Sequence, residues 1–236
     1  MGKDKVSSYL LYAIGEILLV VIGILIAVTL NNLNEVNKAN RKAEQYLKRL
    51  SEDVALIKKD IDKSIDFMTF NFNGSVTVQS VLEKGYLDSA NVAAFDRYLK
   101  RYYQHQLTFQ DANTYNEMLS AGQLNLIRNK WIRDSFSDLA DTREFLMEIT
   151  RSAFRKSLQD DGSFKKYIRY KLIHQNTDSA THVATYDFDE MKEDPVFINE
   201  ISKQAKMWLE IRTLFERFRD GIIQMQDSIT SEMQHQ

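Results

Sequence analysis

Residues 10–30 read LLYAIGEILLVVIGILIAVTL, an apolar run broken by one charge, Glu16. At about 1.5 Å per residue a helix of this length reaches roughly 30 Å, the hydrocarbon thickness of a bilayer. Between residues 17 and 30 the only polar side chain is Thr29. A helix with no wet face has no place on the surface of a small water-soluble domain. No small-residue cleavage pattern follows the run, so the sequence predicts an uncleaved transmembrane anchor over residues 10–30 behind a short segment, 1–9. The next stretch, NNLNEVNKAN, holds five asparagines. Asparagine is a poor helix former, yet no glycine or proline intervenes, so residues 31–45 are expected to carry the helix through the headgroup zone as a juxtamembrane linker.

Beyond the linker the pattern changes from uniformly apolar to striped. Leu47, Leu50, Val54, Ile57, Ile61, Ile65 and Met68 recur at steps of three and four, one face of a helix of about seven turns. Phe72-Asn73-Gly74 is the expected stop, followed by a short helix over 75–84 ended by Gly85. Further helices are expected over 91–103, with Val92, Phe95, Leu99 and Tyr102 inward, and over 113–121, ending at Gly122. Residues 131–158 predict a long amphipathic helix through Ile132, Phe136, Leu139, Phe145, Ile149 and Phe154, closed by Asp160-Asp161-Gly162. Residues 164–174 are read as helix and 176–189 as a Thr/Ser/Asp-rich connection. Pro195 opens the last helix, where its missing N–H is harmless. Its stripe is Ile198, Ile201, Trp208, Ile211, Phe215, Phe218, Ile222, Met225 and Ile229. No strand alternation of useful length stands out. The resulting expectation is all-α: one N-terminal transmembrane helix, then an up-and-down bundle of long, coiled-coil-like helices over residues 46–236.

Composition narrows the function more than the fold. The 236 residues include no cysteine, one proline and 8 glycines, and the net charge is −2. Disulfides, thiolate zinc and cysteine-ligated clusters are therefore excluded, and the charge argues against a nucleic-acid binder. The four histidines, His105, His174, His182 and His235, have no partner at metal-ligand spacing, and no inward Glu-x-x-His motif exists for a di-metal bundle. No nucleophile elbow, phosphate loop or dinucleotide fingerprint occurs. Asp160-Asp161 and residues 187–190 fall where caps and solvated turns are expected. No catalytic residue, cofactor or metal is assigned, and the chain is expected not to be an enzyme.

The run YAIGEILLVVIGILIAVTLNNLNE (12–35) resembles the opening of a family of uncharacterised, single-pass, membrane-anchored helical proteins of Bacteroidota-type bacteria. Their anchors read YAIGEI-x-LVVIGILIA-x-x-x-NN-x-NE. TYNEMLSAGQLNLIRNKWIR (114–133) is similar to that family's TY-x-x-L-x-S-x-G-x-L-x-L-I-x-N-x-x-L-R, with Met118 in an apolar place and Ile132 for the usual leucine. The resemblance implies a cytoplasmic N-terminus in the inner membrane and a periplasmic C-terminal domain, and it brings no activity or site. Charge alone leaves orientation open, because Lys3 and Lys5 flank one side and Lys38, Arg41 and Lys42 the other.

Two surfaces stand out. Glu16, Val20, Gly23, Ala27, Asn31 and Asn34 follow a 4-3-4-4-3 spacing and share one helix face. A carboxylate about six residues inside a span costs a few kcal/mol unless protonated, paired or snorkelled. Gly23-x-x-x-Ala27 lets backbones approach, so the face suits another helix; snorkelling of Glu16 is the plainer alternative. The second surface is the motif segment, through Tyr115, Gly122, Asn125, Asn129 and Arg133. Its plain explanation is packing, with Leu124, Leu126 and Ile127 filling the bundle. The aromatic run Tyr98, Tyr102, Tyr103, Phe109 and Tyr115 could line a pocket or simply form core. The expected partners are the lipid bilayer and either further copies of the chain or the subunits of a membrane complex. The expected role is interaction or scaffolding; a sensory helical bundle is the second reading, weakened because only nine residues precede the anchor to carry an output.

Overall fold

The computed structural model describes residues 3–101, 110–159, 162–176 and 179–234, and side-chain surroundings over 15–101, 110–155, 164–171 and 183–234. The first helix, α1 (Lys3–Lys84), is a single element of 82 residues. At 1.5 Å per residue it is about 120 Å long. It runs unbroken through the asparagine-rich linker, as expected. It also runs through Asn73-Gly74, where a stop was expected, and the separate helix over 75–84 is its last part. The reason lies across the interface. A Cβ built on Gly74 would stand 2.2 Å from Cδ2 of Tyr98, so the glycine permits a close approach and does not end the helix. The true end is Gly85, at φ 77°, whose amide bonds the carbonyls of Val81 and Leu82.

From Ala43 to Leu82 the buried positions of α1 include the series 43, 47, 50, 54, 57, 61, 64, 68, 71, 75, 78 and 82, alternating steps of four and three, flanked by buried Tyr46, Asp60, Ile65 and Val81. That 3.5-residue period keeps one seam turned toward one partner. The partner is α7 (Pro195–Gln234), begun by the expected proline and buried at Ile201, Trp208, Ile211, Phe215, Ile222, Met225 and Ile229. The two helices are antiparallel. Gln226 donates to Ser51 (2.6 Å), Arg219 faces Asp62 (3.9 Å), and Trp208 packs edge-on to Phe67 (5.6 Å). Each large side chain removed from water at this seam contributes roughly 1.5–3 kcal/mol against the entropy of ordering it.

Two apolar clusters lie along the pair. One runs from Tyr46 to Met68 on α1 and from Trp208 to Ile229 on α7; the other begins at Val78 and takes Phe197 and Ile201 of α7. Between them the seam turns polar. Asn71 and Ser75 are buried, and the Ser75 hydroxyl bonds that of Tyr98 (2.7 Å), which donates to Gln204 (3.1 Å). Tyr98 belongs to α2 (Ser89–Arg101), together with buried Phe95 and Leu99. Val92, expected inward, is 37% exposed, and Tyr102 lies outside the described residues. Next come α3 (Asn113–Ser120), a 3-10 turn (Leu124–Leu126) and α4 (Lys130–Gln159). The α4 helix packs principally on α7 through Ile132, Phe136, Leu139 and Leu146. Phe145 was expected to face inward but is 57% exposed, because Leu146 keeps the three-four spacing and Phe145 falls about 100° off it.

The expected helix over 164–174 is largely wrong. After the short α5 (Gly162–Tyr167) the chain forms β1 (Ile168–Asn176) and β2 (Ser179–Tyr186), an antiparallel pair where a plain connection was expected. The period-two signal is short: Ile168 and Tyr170 on one face, Arg169 and Lys171 on the other. Ile168 pairs with Tyr186 and Tyr170 with Ala184, and all four pack at the second cluster. Tyr170 donates to the Leu99 carbonyl (2.7 Å) and Tyr186 to Asp96 (2.5 Å), so α2 fastens the hairpin. A lone hairpin is marginal, and this tertiary support decides the outcome over local propensity. A one-turn helix, α6 (Phe188–Lys192), leads into α7.

Candidate functional site

Every residue from 15 to 39 is exposed. Ile17, Leu19, Ile22, Leu25 and Leu30 are each about half bare or more, and the best window of this helix has a mean hydropathy of 2.2. Nothing lies within 4 Å of a Cβ built on Gly15 or Gly23. The face of Glu16, Val20, Gly23, Ala27 and Asn31 is therefore brought together by the helix, and each of these residues is exposed. Thr29 satisfies its hydroxyl internally, donating to the Leu25 carbonyl (2.8 Å). A continuous apolar sleeve this large does not persist in water. Among the described residues this is the one helix long and apolar enough to cross a membrane. Just beyond it Lys38 pairs with Glu35 (3.2 Å), and the bundle begins at Ala43.

Where the bundle begins, α1 holds the motif segment. Arg128 donates to Asn40 (2.8 Å), and the Asp53 carboxylate accepts the Thr114 amide (2.8 Å) at the start of α3. Between these, Arg49 grips both oxygens of Glu117 (3.1 and 2.5 Å), and the Tyr46 hydroxyl donates to Gln123 (2.7 Å) and Glu117 (3.3 Å). Hydrogen bonding from Arg49 holds the Glu117 carboxyl below its ordinary value, while burial, followed by the Glu117 charge, pushes the Tyr46 hydroxyl up. Gly122, at φ 64°, closes α3: its amide bonds Leu119 and the Gln123 amide bonds Met118, the two bonds of a Schellman end. The Asn129 side chain accepts the Trp131 amide (3.0 Å), capping α4, and Arg133 donates to the carbonyls of Ile127 and Arg128. Tyr115 stacks on Phe136 (5.2 Å), and Asn125 is exposed. Of the motif residues, Gly122, Asn129 and Arg133 thus shape the α3–α4 turn, Tyr115 joins the core, and Asn125 alone faces solvent without an assigned contact.

The other sequence candidates scatter. Tyr98 and Tyr115 fall in different apolar clusters, while Tyr102, Tyr103 and Phe109 lie outside the described residues. His105 and His235 also lie outside them, and β1 and β2 carry His174 and His182. Asp187 caps α6 by accepting the Glu190 amide (3.2 Å); Asp160 and Asp161 lie outside the described residues. Among the described residues no three histidine or acidic side chains gather as metal ligands would. One feature escaped sequence reasoning: a groove of about 470 Å³ between α4 and α7, lined by Trp131, Phe145, Leu214, Phe218 and Gly221 among others. Its trace in the sequence is a phenylalanine off the α4 stripe and a glycine in mid-helix.

The model of a family of unknown function (DUF6090) matches residues 16–71. The match runs from Glu16 through the bare helix and the gripping residues Asn40, Tyr46, Arg49 and Asp53, and ends at the polar layer at Asn71. No curated protein and no solved structure matches the chain.

Proposed function

We propose that this chain is a non-enzymatic interaction protein of a bacterial inner membrane. In this reading α1 spans the bilayer once, and the helical domain stands in the periplasm as a rigid post that self-associates or docks on a membrane complex. The observation that carries the reading is the bare helix over residues 15–39, apolar on every side between 17 and 30 and continuous with the seam of the folded domain. Because one unbroken helix serves as both anchor and core, any partner held in the membrane is held at a fixed angle to the domain. The periplasmic placement rests on the resemblance of residues 12–35 to anchors of Bacteroidota-type bacteria.

Lipid gives helices no hydrophobic reason to pair, so association in the membrane must come from close packing and satisfied polar groups. Gly23 and Ala27 supply the approach, and Glu16 the polar demand. If protonated it donates to a neighbouring carbonyl or carboxyl; if ionised it needs a partner's cation. Such contacts are worth only about 0.6–2 kcal/mol each, so a single change leaves part of the assembly. The protein mass after detergent solubilisation, corrected for bound detergent, tests this. The wild type is expected above monomer mass or with co-purifying subunits, and Glu16→Leu with Gly23→Leu is expected to lose more of that mass than either change alone. A monomeric wild type without co-purifying subunits, or a double variant that keeps every partner, would refute the association.

A further inference from the structure

The folded domain leaves an apolar groove of about 470 Å³ open between α4 and α7. Trp131 is 44% and Phe145 57% exposed at its rim. Gly221 lies at its floor, in the middle of α7, with open space where a Cβ would stand. A mid-helix glycine is less stable than alanine, and among the described residues no close contact requires one here. On opposite walls stand Asp138 and Arg217, both exposed and neither in an ion pair among the described residues.

The occupant follows from direction. Arg128 at the start of α4 touches Asn40, and the end of α7 returns to the same level, with Met233 beside Asn37 and Asn40. Thus α4 runs away from the membrane and α7 toward it. Two copies anchored in one bilayer both rise from the same side, so a symmetric pair has its two-fold axis along the membrane normal. Rotation about that axis sets α4 of one copy against α7 of the other at the same height and in opposite directions. We infer that two copies pair groove to groove, so that α4 and α7 of each copy form an antiparallel four-helix arrangement. Asp138 then faces the level of Gly221 across the interface, with Arg217 one turn farther from the membrane and within side-chain reach. The open floor at Gly221 admits an apolar side chain from the opposite copy.

Size decides when this pairing forms. The groove spans residues 131–146, about 22 Å along the helix, and two helices are about 20 Å wide, so each copy contributes roughly 450 Å². A free-standing interface needs about 800 Å² a side, so the pairing depends on the effective concentration that a shared membrane provides. The inference therefore rests on the anchored reading of α1.

The chain has no cysteine, so single cysteines report cleanly. Two differently tagged full-length copies, Asp138→Cys in one and Arg217→Cys in the other, are co-expressed, and their membranes treated with a short bis-maleimide. A covalent heterodimer is expected, in at least severalfold greater yield than from copies both carrying Val76→Cys, an exposed α1 position outside the groove. In a second arm, Asp138→Arg lowers the dimer fraction of detergent-solubilised protein and adding Arg217→Asp restores it, whereas Gly221→Gln, a better helix former that blocks the floor, lowers it without loss of helical signal. Equal yields from the two cysteine pairs, or a dimer fraction indifferent to all three variants, would overturn the groove pairing. If that happens while the protein stays in alkali-washed membranes and still responds to Glu16→Leu with Gly23→Leu, the anchored reading stands. If alkali releases the protein, the anchored reading itself fails.

Discussion

Gly74 has no side chain because Tyr98 occupies the space. Cδ2, Cγ and Cβ of Tyr98 lie 2.2, 2.8 and 3.0 Å from an added Cβ, and the side chain is buried with its hydroxyl engaged by Ser75 and Gln204. Helix propensity alone would make Gly74→Ala stabilising by about 1 kcal/mol. Overpacking against a ring that cannot give costs about 1–3 kcal/mol, with about 1 kcal/mol more for each hydrogen bond the displaced hydroxyl loses. The variant is therefore expected to unfold at lower denaturant by a net 1–3 kcal/mol, roughly. An unchanged or raised midpoint would show that the ring yields freely. The same residue shows where sequence reading stops. In one dimension Asn-Gly reads as a break, because the partner that explains the glycine lies 24 residues on, in another helix. Phe145 is the complementary case: it looks like core by composition and lies outside by phase.

Among the elements, those set by a long stripe were legible, and those set by a few tertiary contacts were not. The helices α1, α4 and α7 each carry apolar residues for many turns, and the apolar anchor and the Gly122 end were readable for the same reason. The hairpin was missed because its alternation is short and its security comes from Tyr170 and Tyr186 bonding α2. The grip of α1 on α3 was missed too, since Arg49 and Glu117 are 68 residues apart. This grip carries a pH signature. Unfolded, the Glu117 carboxyl takes a proton near 4.5; folded, it resists until lower pH. Its stabilisation is present above the unfolded value and is lost as pH falls through the folded one. Denaturant midpoints measured from about pH 7 down to 3 should fall more steeply for the wild type than for Glu117→Gln. Parallel curves would mean that the Arg49–Glu117 contact adds nothing in solution.

For the whole molecule, one helix enters as a bare apolar rod and leaves as half of a packed antiparallel pair. The bundle covers α1 only from Ala43 onward, about 20 Å past Leu30, so its seam begins clear of a headgroup zone about 5–8 Å deep if residues 10–30 span the bilayer. In the proposed reading that arrangement ties function to attachment, with a membrane face offered to partners at one level and an apolar groove at the next. The most direct measurement places a single cysteine at exposed Ser89, in the otherwise cysteine-free chain. Cells with a permeabilised outer membrane are treated with a membrane-impermeant thiol reagent, their membranes are washed at alkaline pH, and label is read in pellet and wash. Labelled protein retained in the pellet is the expected result. Protein released into the wash, or left unlabelled until the inner membrane is broken, would contradict it.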